Sequence, residues 1–373
     1  MSWAKRGFVV MASVAMLGCG HTPGFDAQES SVGPFNGGAD LRLTLNANQD
    51  YWPAWTEDGA GILYSYVDNV PGPQHRCLGL IPAAGGTRSW SLCDNRSTQT
   101  DSVNSFTAYA LGNDGRLLYV EAVSRTGAQS TSPGATKLWL ADSAAPFTRR
   151  ALLSLPTFAS GIPVSWLADI QWTGPTSFIA LAQDFSILGH CLNCGPVDSI
   201  FYGQAVVRGT IGDGTTTLQA VAGTEGATGF SFAESGASIV FIKRDDRRLY
   251  KVAAAGGTAT VAGIVTPNGA AQLLGVSCRA STCVVAASSV TLSAVTATGV
   301  TFPGVGAGPN ELRAVSLVTG VSQVVRGTPT IVATPRISPV TGDVVAQLGG
   351  LFGHLQSSTN AGSDLHLYLG LVP

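Results

Sequence analysis

Charged side chains are scarce in this chain, since Asp, Glu, Lys and Arg together make up 12% of its 373 residues. Long helices in soluble proteins usually carry more Glu, Lys and Arg, so the composition disfavours a helical protein. The chain contains 46 Gly and 19 Pro, which favours many short strands joined by turns. Its formal net charge of -2 offers no positive field for nucleic acids. We therefore expect an all-β protein without a nucleic-acid partner.

Motifs that signal common enzymes are also missing. Neither G-x-S-x-G nor H-E-x-x-H occurs in the chain, so the sequence predicts neither a serine-hydrolase elbow nor a zinc-protease helix. We expect no catalytic residues, no cofactor and no bound metal.

The apolar segment near the N-terminus is too short to cross a bilayer. It covers twelve residues, Gly7 to Gly18, and follows the basic pair Lys5 and Arg6. A basic start followed by a short apolar segment is the arrangement of a secretory signal peptide. The sequence therefore predicts export.

The end of this segment, Met16-Leu17-Gly18-Cys19, resembles the lipobox of bacterial lipoproteins. In that family the peptide is cut before the cysteine, whose thiol then receives a diacylglycerol. The resemblance implies a signal peptide over residues 1–18, a flexible tether over 19–38 and a membrane anchor through a lipid on Cys19. The protein would then be periplasmic or surface-facing in a bacterial cell envelope. An ordinary signal peptide with a chance cysteine is the alternative.

A strand–turn–strand phrase recurs along the rest of the chain. In the first copy Trp55 precedes the turn Glu57-Asp58-Gly59, and in the second Leu111 precedes Asn113-Asp114-Gly115. The Asp-Gly pair supplies the positive φ that tight hairpin turns need. Weaker copies are anchored at Trp172, Phe232, Val276 and Ile337.

A second hairpin follows each copy, for example over residues 77–92 and 138–155. Two hairpins make four antiparallel strands, which form the blade of a β-propeller. The sixth unit ends after a third strand at 364–373, and an unassigned strand precedes the first unit at 39–45. If that strand completes the last blade, the ring closes without an open sheet edge. The sequence therefore predicts a six-bladed propeller over residues 39–373, closed by its N-terminal strand.

The W-x-x-D-G phrase from Trp55 to Gly59 resembles the repeat of TolB-like propellers, also called WD40-like or PD40 repeats. The resemblance covers about residues 40–373 and is strongest in the first two units. It implies that Trp55 and its equivalents pack between blades and that Asp58-Gly59 turns the first hairpin. The chain departs from TolB itself in showing no α/β domain before the propeller, so we expect no role in the Tol–Pal system.

The links between the two hairpins of a blade are long, whereas the turns within the hairpins are short. Long segments without secondary structure often carry function, so we expect a protein or glycan partner on the face that these links form, the long-loop face. The uncharged segment 289–310, which includes Phe302, is a candidate contact patch. An extra hairpin packed on its own blade is the alternative. The links run over residues 68–76, 124–136, 184–199, 288–310 and 349–363.

Several polar residues of these loops are candidates for the binding face. His75, His190 and His354 lie in the links of three different blades, so convergence on a metal would need long reaches. Cys191 and Cys194 have the C-x-x-C spacing of redox and zinc sites, but a loop disulfide is the simpler interpretation because no second pair follows nearby.

Three acidic residues stand where blades begin and are candidates for the mouth of the central channel. Carboxylates at such positions either ring the channel, where they could hold a cation, or cap local turns. These residues are Asp50, Asp101 and Glu225.

With Cys19 assigned to a lipid, the other six cysteines fall into three neighbouring pairs, as an oxidising compartment favours. Cys77 begins the third strand of the first blade and Cys93 ends the fourth, so antiparallel pairing sets them opposite each other. Cys278 and Cys283 flank a four-residue turn in the fifth blade. We predict three disulfides, namely 77–93, 278–283 and 191–194.

Together these features predict a lipid-anchored propeller that binds a partner through its long-loop face. A carbohydrate-active propeller enzyme of the lyase or hydrolase type is the alternative. Two carboxylates, or a histidine beside a carboxylate, close together in the channel mouth would favour the enzyme.

Overall fold

The fold is a six-bladed β-propeller, as the sequence predicts. The described residues form six four-stranded antiparallel sheets, and neighbouring sheets contact each other around the ring. The computed structural model describes residues 40–44, 50–67, 76–93, 102–125, 136–187, 199–243, 246–265, 272–288, 290–291, 295–296, 299–300, 304–305, 310–328, 331–349 and 363–372.

The N-terminal strand opens the chain's β structure, and the first three blades follow in sequence order. A short hairpin, β10 and β11, stands between blades two and three and was not predicted. The strands are β1 (Asp40–Arg42); β2 (Asp50–Trp55), β3 (Gly61–Val67), β4 (Arg76–Pro82) and β5 (Trp90–Leu92) of blade one; β6 (Ser102–Leu111), β7 (Arg116–Arg125), β8 (Thr136–Asp142) and β9 (Ala145–Leu155) of blade two; β10 (Thr157–Ala159) and β11 (Ile162–Val164); and β12 (Trp166–Gly174), β13 (Ser177–Ile187), β14 (Ser199–Ile211) and β15 (Thr216–Ala220) of blade three.

The last three blades repeat the same four-strand pattern. In blade five the uncharged insertion forms a hairpin of its own, because β22 pairs with β25 and β23 with β24. The strands are β16 (Ala227–Ala233), β17 (Ser238–Lys243), β18 (Arg248–Ala253) and β19 (Thr260–Ile264) of blade four; β20 (Gln272–Arg279), β21 (Thr282–Ser288), β22 (Val290–Thr291), β23 (Val295–Thr296), β24 (Gly299–Val300), β25 (Gly304–Val305), β26 (Asn310–Ser316) and β27 (Ser322–Thr328) of blade five; and β28 (Val332–Ile337), β29 (Val344–Leu348) and β30 (Asp364–Tyr368) of blade six.

The N-terminal strand closes the ring. Strand β1 pairs antiparallel with β30, with Asp40 opposite Tyr368 and Arg42 opposite His366. Blade six therefore has the order β28, β29, β30, β1. This confirms the closure predicted from the missing fourth strand.

The described residues form six hydrophobic core clusters, one between each pair of neighbouring blades. Second strands are buried on both faces because each blade is packed between two others. In β3, for example, residues 61–66 are all buried, which explains why this strand reads as a continuous apolar run. The Asp-Gly turns behave as predicted, since Gly59 and Gly115 have φ angles of 69° and 80°.

Helical structure is almost absent from the described residues, where a 3₁₀ turn covers Glu234–Gly236. None of their helical segments has the length and apolar character needed to cross a bilayer.

Candidate functional site

The centre of the ring holds a cavity of about 290 Å³ that is lined by residues from the first strand of every blade. The lining residues lie in the second half of each first strand and in the hairpin turn that follows, for example Trp55, Thr56 and Glu57 in blade one. The cavity therefore opens at the face that carries the turns within hairpins, which we call the hairpin-turn face. This is the face opposite the long-loop face.

Aromatic side chains form much of the cavity wall. Trp55 donates its indole N–H to the carbonyl oxygen of Arg336 at 2.8 Å, and Trp172 donates to that of Ala110 at 3.2 Å. Both acceptors lie on the first strand of the preceding blade. These bonds confirm that Trp55 and its equivalent Trp172 pack between blades.

Serines make the corresponding link between the later blades. The Ser231 hydroxyl accepts the backbone N–H of Cys278 at 2.9 Å, and the Ser277 hydroxyl accepts that of Ile337 at 2.9 Å. Cys278 pairs with Cys283 at the end of its hairpin, as Trp55 pairs with Ile62. Cys278, and not Val276, is therefore the blade-five equivalent of Trp55, because the turn of blade five is shorter.

Each first strand has a register shift against the second strand, close to three residues before the anchor position. At this point Trp52, Asp169 and Thr334 have φ angles of 49°, 51° and 46°, in the left-handed region. Such bulges reorient side chains and are common beside functional sites. Each non-glycine residue held there costs on the order of 1–3 kcal/mol.

An ion pair crosses the floor of the cavity. Arg336 of blade six donates through Nη2 to Oδ1 of Asp169 in blade three, and these blades are opposite each other in the ring. Both side chains line the cavity and keep 14% and 20% of their surface exposed, respectively. The pair is therefore enclosed but still accessible from the cavity.

Tyr109 lies beside this ion pair and remains uncharged. Its hydroxyl donates to the carbonyl oxygen of Trp52 at 2.6 Å and to that of Tyr51 at 3.1 Å. Burial raises the pKa of Tyr109 well above its usual value; Arg336 acts against this shift, whereas Asp169 and Asp50 add to it. Its hydroxyl proton is therefore committed to the bulge of blade one.

At the rim of the cavity, hydrogen bonds link the hairpin turns of several neighbouring blades. Arg279 donates through Nη1 to the Thr341 carbonyl oxygen at 2.8 Å and through Nη2 to that of Val340 at 3.1 Å, which joins blade five to blade six. Other links between neighbouring turns run from the Asn113 N–H to Glu57, from Arg116 to the Pro175 carbonyl oxygen and from the Glu234 N–H to the Ala280 carbonyl oxygen.

Of the acidic residues predicted for the channel mouth, the structure describes Asp50 and Glu225, and neither lines the central cavity. Asp50 is fully buried, and its backbone bonds with Ser363 link blades one and six. Glu225 is exposed and accepts the Gly223 N–H at 3.0 Å, which is the turn-capping alternative. Asp101 lies outside the described residues.

The candidates on the long-loop face also lie outside the described residues. They are His75, His190, His354, Phe302, Cys191 and Cys194, together with the lipidation residue Cys19.

Both predicted disulfides that fall within the described residues are present. Cys77 is bonded to Cys93, with Cα atoms 4.4 Å apart, and Cys278 to Cys283, with Cα atoms 3.9 Å apart. Each bond joins the two strands of one hairpin, as the register predicts.

Within the described part of the chain, no three His, Cys, Asp or Glu side chains cluster as metal ligands would. The cavity carboxylates are engaged separately: Glu57 accepts a backbone N–H at the rim, and Asp169 pairs with Arg336 on the floor. The arrangement that would favour a glycosidase or lyase is therefore not formed by these residues.

The sequence interpretation missed the charged residues of the cavity. Asp169, Arg279 and Arg336 lie within three residues of the anchors Trp172, Cys278 and Ile337. Trp55, Leu111 and Phe232 also have a charged residue within three positions, so this proximity does not single out the three cavity charges.

No protein-family model and no curated protein matches this sequence. Solved structures do match its fold. A gluconolactonase from Xanthomonas campestris is 13% identical, with 88% of both chains covered and a TM-score of 0.51. An oligogalacturonate lyase from Vibrio parahaemolyticus is 11% identical over 88% of this chain and 92% of that chain, with a TM-score of 0.45. TolB from Acinetobacter baumannii is 13% identical over 78% of this chain and 57% of its own, with a TM-score of 0.42. Similarity at this level shows the propeller fold alone.

Proposed function

We propose that this protein is a lipid-anchored binding protein of the bacterial cell envelope whose ligand enters the central cavity from the hairpin-turn face. The cavity itself supports this most directly, because all six blades contribute to its wall and hydrogen bonds between blades fix that wall. A volume of about 290 Å³ lies at the lower end of the range for small-molecule sites. The ligand would be a small molecule or the end of a larger one.

Binding accounts for the charges of the cavity better than catalysis does. A general acid or base must be able to reach the substrate, and each protonatable group of the described cavity already has a hydrogen-bond partner. Here Asp169 is paired with Arg336, Tyr109 donates its proton to a backbone carbonyl, and Glu57 is bonded at the rim. The enzyme alternative, which includes the lactonase activity in the name of the Xanthomonas neighbour, is therefore ranked second.

The binding proposal is tested by photo-crosslinking in the cell envelope. A benzophenone amino acid replaces Phe232, which lines the cavity, or Phe158, which is 70% exposed on β10 outside it. We expect a specific adduct from position 232 and none of that mass from position 158. The same adduct at both positions, or only at 158, would argue against the cavity as the site.

The enzyme alternative is tested by turnover. The purified protein is incubated with D-glucono-1,5-lactone and with oligogalacturonate, and lactone hydrolysis and unsaturated-product absorbance are followed. We expect no rate above that of an Asp169→Asn variant. Turnover that this variant abolishes would replace the binding proposal with an enzymatic one.

Lipid anchoring rests on the resemblance of the Cys19 segment to a lipobox and is tested separately. Cys19→Ala should move the protein from the membrane to the soluble fraction when cells are broken without detergent. A wild-type protein that is soluble and has an unmodified N-terminus would contradict the anchor. Neither outcome bears on the cavity. The long-loop face remains a proposed surface for a protein or glycan partner.

A further inference from the structure

The polar groups left to bind a ligand in the cavity can be found by elimination. The indole N–H groups of Trp55 and Trp172 are already bonded to backbone carbonyls, and so is the Tyr109 hydroxyl. Ser231 and Ser277 accept backbone N–H groups between blades. These side chains present mainly ring faces and polar atoms that already have hydrogen-bond partners. Among the lining side chains, the charged groups and the Gln171 amide therefore remain to orient a ligand.

Two arginines from neighbouring blades line the cavity: Arg336 lies at its floor and Arg279 at its rim. Arg279 belongs to blade five and Arg336 to blade six, and Arg336 Nη1 also lies 3.4 Å from the Val276 carbonyl oxygen on the strand of Arg279. Arg279 is held by two backbone carbonyls, and within the described residues no carboxylate pairs with it. Its charge is therefore fixed in position but not neutralised by the protein.

The other arginine has a partner that uses little of its binding capacity. A guanidinium can donate two parallel hydrogen bonds to one carboxylate, but Arg336 reaches Asp169 through the single contact from Nη2 to Oδ1. Arg336 therefore keeps donors beyond this one contact, and a ligand carboxylate that accepts two parallel hydrogen bonds from its guanidinium can replace Asp169.

We propose that the cavity binds a ligand that carries a carboxylate, and that this carboxylate displaces Asp169 from Arg336 at the floor of the cavity, below the positive charge of Arg279 at the rim. The inference rests on the proposed binding function and names the ligand chemistry of that site. Asp169 is then an internal competitor that occupies Arg336 until the ligand arrives. The ring faces of Trp55, Trp172 and Phe232 contact the body of the ligand, which favours a planar or sugar ring next to the acid group.

The test uses two acid probes, each with a matched neutral compound, on the full mature chain made soluble by Cys19→Ala. N-acetyl-L-phenylalanine and its amide represent a peptide terminus, whereas D-glucuronate and methyl glucoside represent a sugar. Binding is followed by the ¹⁵N-indole signals of Trp55 and Trp172, which are assigned from Trp55→Phe and Trp172→Phe. We expect saturable shifts with at least one acid and none with its neutral counterpart, and the acid that binds identifies the source.

Two substitutions in the ion pair should change affinity in opposite directions. Arg336→Gln should lower the affinity of the protein for the acid about tenfold or more, because it removes a charge-assisted hydrogen bond. Asp169→Asn should raise the affinity for the acid severalfold, because it removes the competing carboxylate. Arg336→Lys should lower the affinity by less than Arg336→Gln does. The control is Arg326→Gln, since Arg326 lies over the Tyr368 ring outside the cavity, and its affinity should equal that of the parent.

Three results would overturn the inference. Weakening by Asp169→Asn as large as that by Arg336→Gln would mean that Asp169 contacts the ligand and does not compete with it. Equal shifts of the indole signals with an acid and its neutral counterpart would support the cavity as a binding site but contradict the proposal that the ligand binds through a carboxylate. The absence of signal shifts with all four probes would also contradict the carboxylate proposal. The crosslinking experiment at position 232 then tests separately whether the cavity binds a ligand at all.

Discussion

Arg42 and Asp364 lie 322 positions apart in the chain, yet the Arg42 guanidinium donates to the Asp364 carboxylate over 2.5 Å. The pair joins the N-terminal strand to β30 beside the main-chain ladder between the same strands. An isolated ion pair of this kind contributes little by itself. Its position matters more, because it lies where the two ends of the chain close the ring.

Deleting residues 39–45 should therefore destabilise the whole propeller. Strand β30 would become an unprotected edge, and Leu43, which is buried between blades six and one, would leave a gap in that cluster. We expect aggregation or loss of a single cooperative melting transition, measured by circular dichroism and size-exclusion chromatography. A deletion of the same length within the tether, residues 26–32, should leave the melting temperature unchanged. If both deletions melt like the parent, the N-terminal strand does not hold the ring closed.

His366 should make stability depend on pH below neutrality. It lies opposite Arg42 on β30, and burial together with the Arg42 charge lowers its pKa to about 4. In the unfolded chain the pKa of a histidine is near 6.5. The stabilising contribution of the neutral, buried His366 is therefore complete above about pH 6.5 and is lost as the pH falls towards 4. The resulting decrease in the free energy of unfolding can reach about 3 kcal/mol.

The neighbouring Asp364 acts in the opposite direction, because burial raises its pKa and protonation then favours the fold as pH falls. Urea unfolding midpoints at pH 7, 5.5 and 4.5 would measure the combined effect of His366 and Asp364 on stability. His366→Gln should flatten the pH profile of stability between pH 6.5 and 4.5, because it removes the group whose pKa is lower in the folded than in the unfolded chain. A variant that loses as much stability as the parent over this interval would show that His366 is not the titrating group.

The sequence predicted the architecture because the signals for it are local. Asp58-Gly59 fixes a hairpin turn, and the strand count at residues 39–45 and 364–373 fixes the closure. The Ser160-Gly161 pair is the same kind of local turn signal, and it marks the hairpin of β10 and β11, which the repeat pattern does not include. Both residues have positive φ angles, 49° and 84°.

The cavity could not be predicted in the same way, because it depends on the angle between blades. Asp169 and Arg336 meet only because blades three and six are opposite in the ring. The left-handed conformation of Trp52 and Thr334 is equally invisible in sequence, since neither residue type favours it. Packing between blades imposes this conformation against local preference.

The two disulfides should differ in their effect on stability. The Cys77–Cys93 bond spans 16 positions and the Cys278–Cys283 bond spans 5. In the chain-entropy model these loops correspond to about 3 and about 2 kcal/mol. Cys77→Ala with Cys93→Ala should therefore lower the free energy of unfolding more than the same double change at 278 and 283. Non-reducing peptide mapping of the parent is the control, and free thiols at these four positions would contradict the hairpin register.

The hydrogen bond from Trp55 to Arg336 should stabilise the junction between the first and last blades by a measurable amount. Trp55→Phe keeps an aromatic ring between the blades but removes the indole N–H, so the Arg336 carbonyl oxygen loses its donor. An unpaired partner in a partly buried site typically costs about 1 kcal/mol. Trp90→Phe is the matched control, because Trp90 also packs in an interblade cluster and no indole hydrogen bond of Trp90 is found among the described residues. Urea unfolding should show a loss for Trp55→Phe that exceeds the loss for Trp90→Phe. Equal losses would mean that the ring, and not the hydrogen bond, is what Trp55 contributes to the closed propeller.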